Sequence, residues 1–149
     1  MQTLVVYDSI YGNTEQIARV IADAISGEVK LLHAAKATPA DLDNIDLLIV
    51  GAPTQGGRAT QAAQDFLNGL PQGAVKGLNV ASFDTRLSTK FVGIFGYAAG
   101  RMAKQLKEAS ARLIAPPEGF YVKGSKGPMK DGEAERAADW AKELPVDNR

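Results

Sequence analysis

The sequence predicts a doubly wound α/β fold, a five-stranded parallel sheet in the order 2-1-3-4-5 with helices on both faces. Two observations predict it. Apolar runs alternate with helical patterns from end to end of the 149 residues. The runs, Leu47-Leu48-Ile49-Val50 above all, are continuously apolar, as strands covered on both faces require. Strands are expected at Thr3–Tyr7, Val29–His33, Leu47–Gly51, Asn79–Phe83 and Gly119–Lys123.

Helices are expected at Thr14–Ser26, Thr60–Leu70, Tyr97–Arg112 and Gly132–Leu144. The first carries Ile17, Val20, Ile21, Ala24 and Ile25 on one face, the stripe that packs on a sheet. Ala98, Met102, Leu106, Ala109 and Leu113 form the same stripe on the third. In the last, Ala137, Ala138, Trp140, Ala141 and Leu144 supply the apolar residues, while Asp131, Glu133 and Glu135 suit its N-terminus. Pro39–Asn44 is long enough only for a helical turn, and Pro145–Arg149 reads as a frayed tail. Without repeats, low-complexity tracts or a linker, residues 1–149 read as one domain.

Composition removes several function classes. Seventeen basic and seventeen acidic residues give a formal net charge of zero, against the basic excess of a general nucleic-acid or membrane-surface binder. The absence of cysteine excludes disulfides, thiolate nucleophiles and cysteine-ligated metals. One histidine, His33, argues against an imidazole-rich metal site and reads as structural. The N-terminus shows no signal-peptide pattern and no run reaches membrane-span length, so the expected location is the cytoplasm.

The most informative stretch is Asp8-Ser9-Ile10-Tyr11-Gly12-Asn13-Thr14, between the first strand and the first helix. A strand turning through hydroxyls and a glycine into a helix start presents unpaired N–H groups and the positive end of the helix dipole. Ser9 and Thr14 add hydroxyls, Asn13 an amide, and Gly12 lets the backbone curl around an anion. A P-loop would need Lys-Ser/Thr after Gly12, and a dinucleotide fingerprint would need three spaced glycines. Ordinary capping, with Asn13 as N-cap and Gln16 completing a capping box, is the competing reading.

Ser9-Ile10-Tyr11-Gly12-Asn13-Thr14 resembles the phosphate loop of the flavodoxin family, Thr/Ser-x-Thr-Gly-x-Thr, with Tyr11 in place of the central hydroxyl residue. Flavodoxin is itself the standard example of the 2-1-3-4-5 order. The resemblance spans essentially the whole chain, and the absence of a long insertion in strand five matches the short-chain members. It implies FMN bound noncovalently and electrons passed to a redox partner protein or small acceptor. It also implies that Ser9, Ile10, Tyr11, Gly12, Asn13 and Thr14 hold the phosphate. Pro53, Thr54, Gln55, Gly56 and Gly57 would run along the reactive edge of the flavin ring, and Asp84, Thr85, Arg86 and Leu87 would meet its pyrimidine end.

Gly56-Gly57 would let a peptide turn its carbonyl toward the ring on one-electron reduction, or simply make a turn. Gln55 brings no stacking aromatic; Phe91, Phe95 and Tyr97 are the candidates, with core packing the expectation for both phenylalanines. Arg58, Arg86, Lys90 and Arg101 fall near the expected site, where the family resemblance leads one to expect acidic groups. Buried positive charge would favour a reduced, anionic flavin, whereas solvated charge would matter little. Asp84 and Arg86 are two residues apart and are expected to pair locally. Asp8 invites a phospho-receiver reading, but strand three ends in Gly51-Ala52-Pro53 without the acceptor aspartate. No side chain stands out as acid, base or nucleophile, which favours a carrier. Two alternatives remain: an FMN-dependent NAD(P)H:quinone-type reductase, and an interaction domain that has lost its flavin.

Overall fold

The computed structural model describes residues 1–87 and 96–146. The readings made for Ser88, Thr89, Lys90, Phe91 and Phe95, and for the last three residues of the tail, lie outside those. In chain order the elements are β1 (Gln2–Tyr7), α1 (Asn13–Ala24), β2 (Glu28–His33), a 3-10 turn (Pro39–Leu42), β3 (Leu47–Pro53), α2 (Gln61–Asn68), β4 (Asn79–Leu87), α3 (Ala98–Glu108), β5 (Arg112–Leu113), β6 (Glu118–Val122) and α4 (Glu133–Lys142). The sheet is parallel, in the order β2-β1-β3-β4-β5, with β6 also beside β4.

Alternate residues along the strands feed two cores. Leu4, Val6, Leu48, Val50 and Val80 pack with Ala63 and Leu67 of α2 and with Ala98, Met102 and Leu106 of α3. Val5, Tyr7, Leu47, Ile49, Ala81 and Phe83 pack with Ile17, Ala18 and Ile21 of α1 and with Ala137 and Ala141 of α4. Phe83, Phe120 and Trp140 meet edge-on, with centroids 6.0–6.2 Å apart. Gly51 faces this ring cluster: a Cβ there would lie 2.0 Å from Phe83 Cζ.

Three elements differ from the sequence reading. The third helix stops at Glu108, because Ser110 adopts a left-handed φ of 69° and the chain re-enters the sheet at Arg112. The fifth strand is split: Arg112–Leu113 pair with Asn79–Val80, and Glu118–Val122 pair with Phe83–Leu87. The edge strand thus spends two more residues than β4, and Pro116 and Pro117, which have no N–H for the ladder, lie in the break. Strand four runs on to Leu87 rather than stopping at Phe83, held between β3 and β6. In the tail, Val146 packs partly buried on the second core rather than fraying.

Helix α4 is fastened to β6 by charge. Glu133 accepts the Tyr121 N–H at 2.7 Å and the Arg136 Nε and Nη2 groups at 2.9 and 2.8 Å, while Arg136 Nη1 reaches Glu118 at 2.6 Å. The Arg136 hydrogen bonds hold the Glu133 carboxyl below the ordinary glutamate range, against the opposing effect of its burial. A depressed folded-state pKa adds stability above the unfolded value, and that stability is lost as pH falls through the folded one. Glu133→Gln is therefore expected to lower stability at pH 7 by on the order of 1 kcal/mol, the difference between a charged and a neutral hydrogen bond. The deficit should fade as pH is lowered through the glutamate range; urea unfolding at several pH values measures it.

Candidate functional site

The first strand leaves the sheet at Tyr7 and the helix starts at Asn13, so Asp8–Gly12 make the turn. Gly12 sits at the cap position with a left-handed φ of 92° and, being glycine, offers the helix no side-chain cap of its own. The capping reading for Asn13 is thereby corrected: it is the first helical residue. Ser9 works inside the turn instead, its Oγ accepting the N–H groups of Gly12 at 3.1 Å and Glu15 at 3.3 Å. Gln16 closes the first helical bond on the Gly12 carbonyl. The N–H groups of Ile10, Tyr11, Asn13 and Thr14 donate to no acceptor among the described residues.

The loop is anchored from below. Asp8, 8% exposed, accepts the Ser9 N–H at 2.9 Å and lies 2.8 Å from His33 Nε2. His33 Nδ1 accepts the Ala35 N–H at 3.1 Å, so the proton of the neutral ring sits on Nε2 and is donated to Asp8. The ring also stands edge-on to Tyr7, 5.6 Å away. His33 is structural, as the sequence suggested, but its place is directly behind this loop. Tyr7 Oη donates to Glu15 at 3.2 Å, and burial, then the Glu15 charge, pushes its hydroxyl above the usual tyrosine value.

Above the loop is a cavity of ≈ 190 Å³. Ser9, Ile10, Tyr11, Asn13 and Thr14 line one side; Pro53, Thr54 and Gln55 come from the end of β3, and Thr85, Arg86 and Leu87 from the end of β4. The ends of strands one, three and four therefore converge, at the switch point where open α/β sheets hold ligands. Thr14 and Thr85 join hydroxyls across it at 2.8 Å. Val122 and Ser125 complete the lining, two residues the sequence reading did not single out. Ser125 belongs to the turn after β6, which packs so closely on the first loop that a Cβ at Gly127 would strike the Asn13 amide at 2.3 Å.

Several expected site residues are placed differently. Gly12, Gly56, Gly57 and Asp84 do not line the cavity. Gly56 and Gly57, at φ 56° and 79°, form a tight turn closed by reciprocal Gln55 and Arg58 backbone bonds of 2.8 and 3.0 Å. The Gly57 carbonyl accepts Arg101 Nε at 2.7 Å. Asp84 through Leu87 are strand rather than loop, and Asp84 is fully buried. Its two oxygens take Arg86 Nε and Nη2 at 2.6 and 2.7 Å, and Oδ2 also takes the Ala99 N–H at 2.9 Å. The local pairing expected of Asp84 and Arg86 is thus present, and Arg86 stacks over Tyr97, 3.4 Å from the ring centroid. Tyr97 serves this cation and is not part of the cavity lining. Burial would lower the Arg86 pKa, but the Asp84 carboxylate raises it, so the guanidinium stays charged and paired. Arg58 is exposed, and Lys90 lies outside the described residues.

Comparison with known proteins agrees with this geometry. A family model described as Flavodoxin matches residues 5–140. The chain belongs to the flavodoxin family. It is 27% identical to Flavodoxin 1 of Salmonella typhimurium over 97% of this chain and 93% of that one. It is 30% identical to a flavodoxin of Klebsiella pneumoniae over 84% of this chain and 73% of the other. Among solved structures, oxidised Flavodoxin 2 from Bacillus cereus superposes with a TM-score of 0.77 at 26% identity, covering 95% of each chain. Flavodoxins are FMN-binding electron-transfer proteins, and this chain is one of them by family. No described helix is long and apolar enough to cross a membrane.

The donor set of this flavodoxin fits FMN. Four N–H groups unpaired among the described residues and the hydroxyls of Ser9, Thr14 and Thr54 suit a phosphate, and no carboxylate is among the described lining residues to oppose it. Ile10 and Tyr11, 49% and 54% exposed, offer apolar surface at the same rim. Asp84→Asn should leave the Arg86 cation, 13% exposed, without its counter-charge. The expected loss is about 3–5 kcal/mol, read by denaturant unfolding of the protein with and without added FMN.

Proposed function

We propose that this flavodoxin is an electron carrier that holds the FMN phosphate on the Ile10–Thr14 turn. The ring is assigned to the rim between Pro53–Gln55 and Thr85–Leu87. The observation that carries this reading is the set of N–H groups at Ile10, Tyr11, Asn13 and Thr14, unpaired among the described residues, at the start of a helix whose cap residue, Gly12, has no side chain. An anion there accepts several charge-assisted hydrogen bonds and meets the positive end of the helix dipole. Thr54 Oγ1 already accepts the Ala98 N–H at 3.0 Å, which leaves its proton to donate. At ≈ 190 Å³ the cavity is smaller than the roughly 300–1,000 Å³ of sites that enclose a whole ligand. Part of FMN then stays outside, where a partner can approach it.

Bound FMN supplies the one- and two-electron chemistry; the protein supplies binding, orientation and field. No Asp, Glu, His or Lys is among the described residues that line the cavity, and its one cation, Arg86, is occupied by Asp84. That composition suits electron transfer to a redox protein or small acceptor better than acid–base work on a committed substrate. The test is the visible spectrum of the purified protein during titration with FMN and, separately, with riboflavin. FMN should bind more tightly by about 100-fold or more, the worth of two charge-assisted hydrogen bonds, and Ser9→Ala should reduce that preference. Equal binding of the two flavins would remove the phosphate from this loop. Sustained NADH or NADPH oxidation with a quinone would replace the carrier by a reductase.

A further inference from the structure

The formal charge of zero hides a strong segregation. Residues 1–57 carry three Lys/Arg and seven Asp/Glu, whereas residues 58–112 carry eight and three. The second segment contains α2 and α3, on one face of the sheet, and the excess is concentrated on α3. Arg101, Lys104 and Lys107, spaced by three, are all exposed and lie on one side of the helix. The row starts at the Gly56-Gly57 turn, which follows the cavity-lining Gln55: Arg101 bonds the Gly57 carbonyl, and exposed Arg58 is adjacent in sequence. Among the described residues, the side chains of Arg58, Lys104 and Lys107 enter no ion pair. Glu108 is the sole carboxylate on the helix.

A hollow of ≈ 410 Å³ lies against this row. Its apolar surface comes from Ala103 on the helix and from Leu113 and Pro117 at the break in the edge strand, and Lys104, Lys107 and, at the far end of the helix, Glu108 also line it. Gly100 opens it at the end nearer the flavin site: a Cβ there would meet nothing within 4 Å. Two lysines beside an apolar floor suit a protein surface in which carboxylates flank an apolar side chain.

We propose that the α3 face, from Arg101 along the Lys104–Lys107 hollow, docks an acidic redox partner protein. The nature of the partner rests on the carrier reading above; the docking itself does not. Exposed charge of one sign raises association rates by about 10- to 1,000-fold at low salt and loses that advantage on screening. An acidic partner is thus drawn to the side of the molecule that adjoins the assigned ring rim. The acidic helices α1 and α4 lie on the opposite face, turned away from it.

The probe is a plant-type [2Fe–2S] ferredoxin, an acidic one-electron protein, with basic cytochrome c as the contrast. Amide shifts of the isotope-labelled, FMN-loaded flavodoxin are followed by NMR during each titration. Ferredoxin should move the signals of Gly100–Glu108 and of residues 113–117, and the shifts should collapse in high salt. Lys104→Glu with Lys107→Glu should weaken binding about tenfold or more. Gly100→Leu, which fills the hollow with every charge intact, should weaken it as well while the rest of the spectrum keeps its folded dispersion. The proposal fails if ferredoxin leaves these amides unmoved, or if cytochrome c moves them instead. It also fails if they shift with concentration of the flavodoxin alone, which would give the face to a second copy, or if a nicotinamide dinucleotide alone saturates them. The footprint requires no electron flow, so failure of the FMN reading and failure of the docking surface are separate results.

Discussion

A parallel sheet sends every helix start that follows a strand to the same edge, and each start brings N–H groups that the helix cannot satisfy. How those donors are settled decides what this edge can do. At α3 the protein settles two of them internally: Thr54 Oγ1 takes the Ala98 N–H, and the Asp84 carboxylate takes the Ala99 N–H while gripping Arg86. At α1 the turn is folded just as firmly, through Ser9, Asp8 and His33, yet four N–H groups are left without an acceptor among the described residues. One helix start is closed by a carboxylate and the neighbouring one is left open. The open one is the anion site proposed above, and Asp84, with both oxygens engaged beside α3, supplies no competing acceptor to it.

The fold was legible because its signals are local. Unbroken apolar runs marked the parallel strands, and i, i+3, i+4 stripes marked the helices that Ile17, Met102 and Ala137 now bury. The misreadings fall where a distant partner overrides the local pattern. Asp84 and Arg86 look like loop residues until β6 and β3 enclose β4 and the two charges find each other. The helical periodicity of residues 101–112 carries no glycine or proline to announce a stop, and Ser110 ends it from a conformation that sequence rarely signals.

The site divides in the same way. The first loop could be read from its hydroxyls and glycine alone. Ser125 and Val122 could not, since the turn after β6 reaches the first loop only through the pairing of β6 with β4. Nor could the support from His33, whose ring reaches Asp8 because the register sets Tyr7 opposite His33. The turn at Gly56 and Gly57 was visible as a doublet, but the arginine that holds its outer carbonyl comes from forty-four residues away.

That distribution of charge changes how the cations near the flavin are to be understood. Among the described residues Arg86 is the cation that lines the cavity, and a guanidinium in a bidentate pair with a buried carboxylate projects a short-range dipole rather than a unit charge. Its field on a bound ring is accordingly weak, and the large excess of positive charge between residues 58 and 112 is felt elsewhere. Arg58, Arg101, Lys104 and Lys107 stand on the surface, where water screens them over a distance of about 8–10 Å at ordinary salt. Over that range they have little grip on the electron affinity of a flavin inside the rim, but they act fully on a charged protein arriving from solution. On the docking reading proposed above, the positive charge of the α3 face therefore bears on the choice of partner, while the buried ion pair leaves Arg86 neutralised in the cavity.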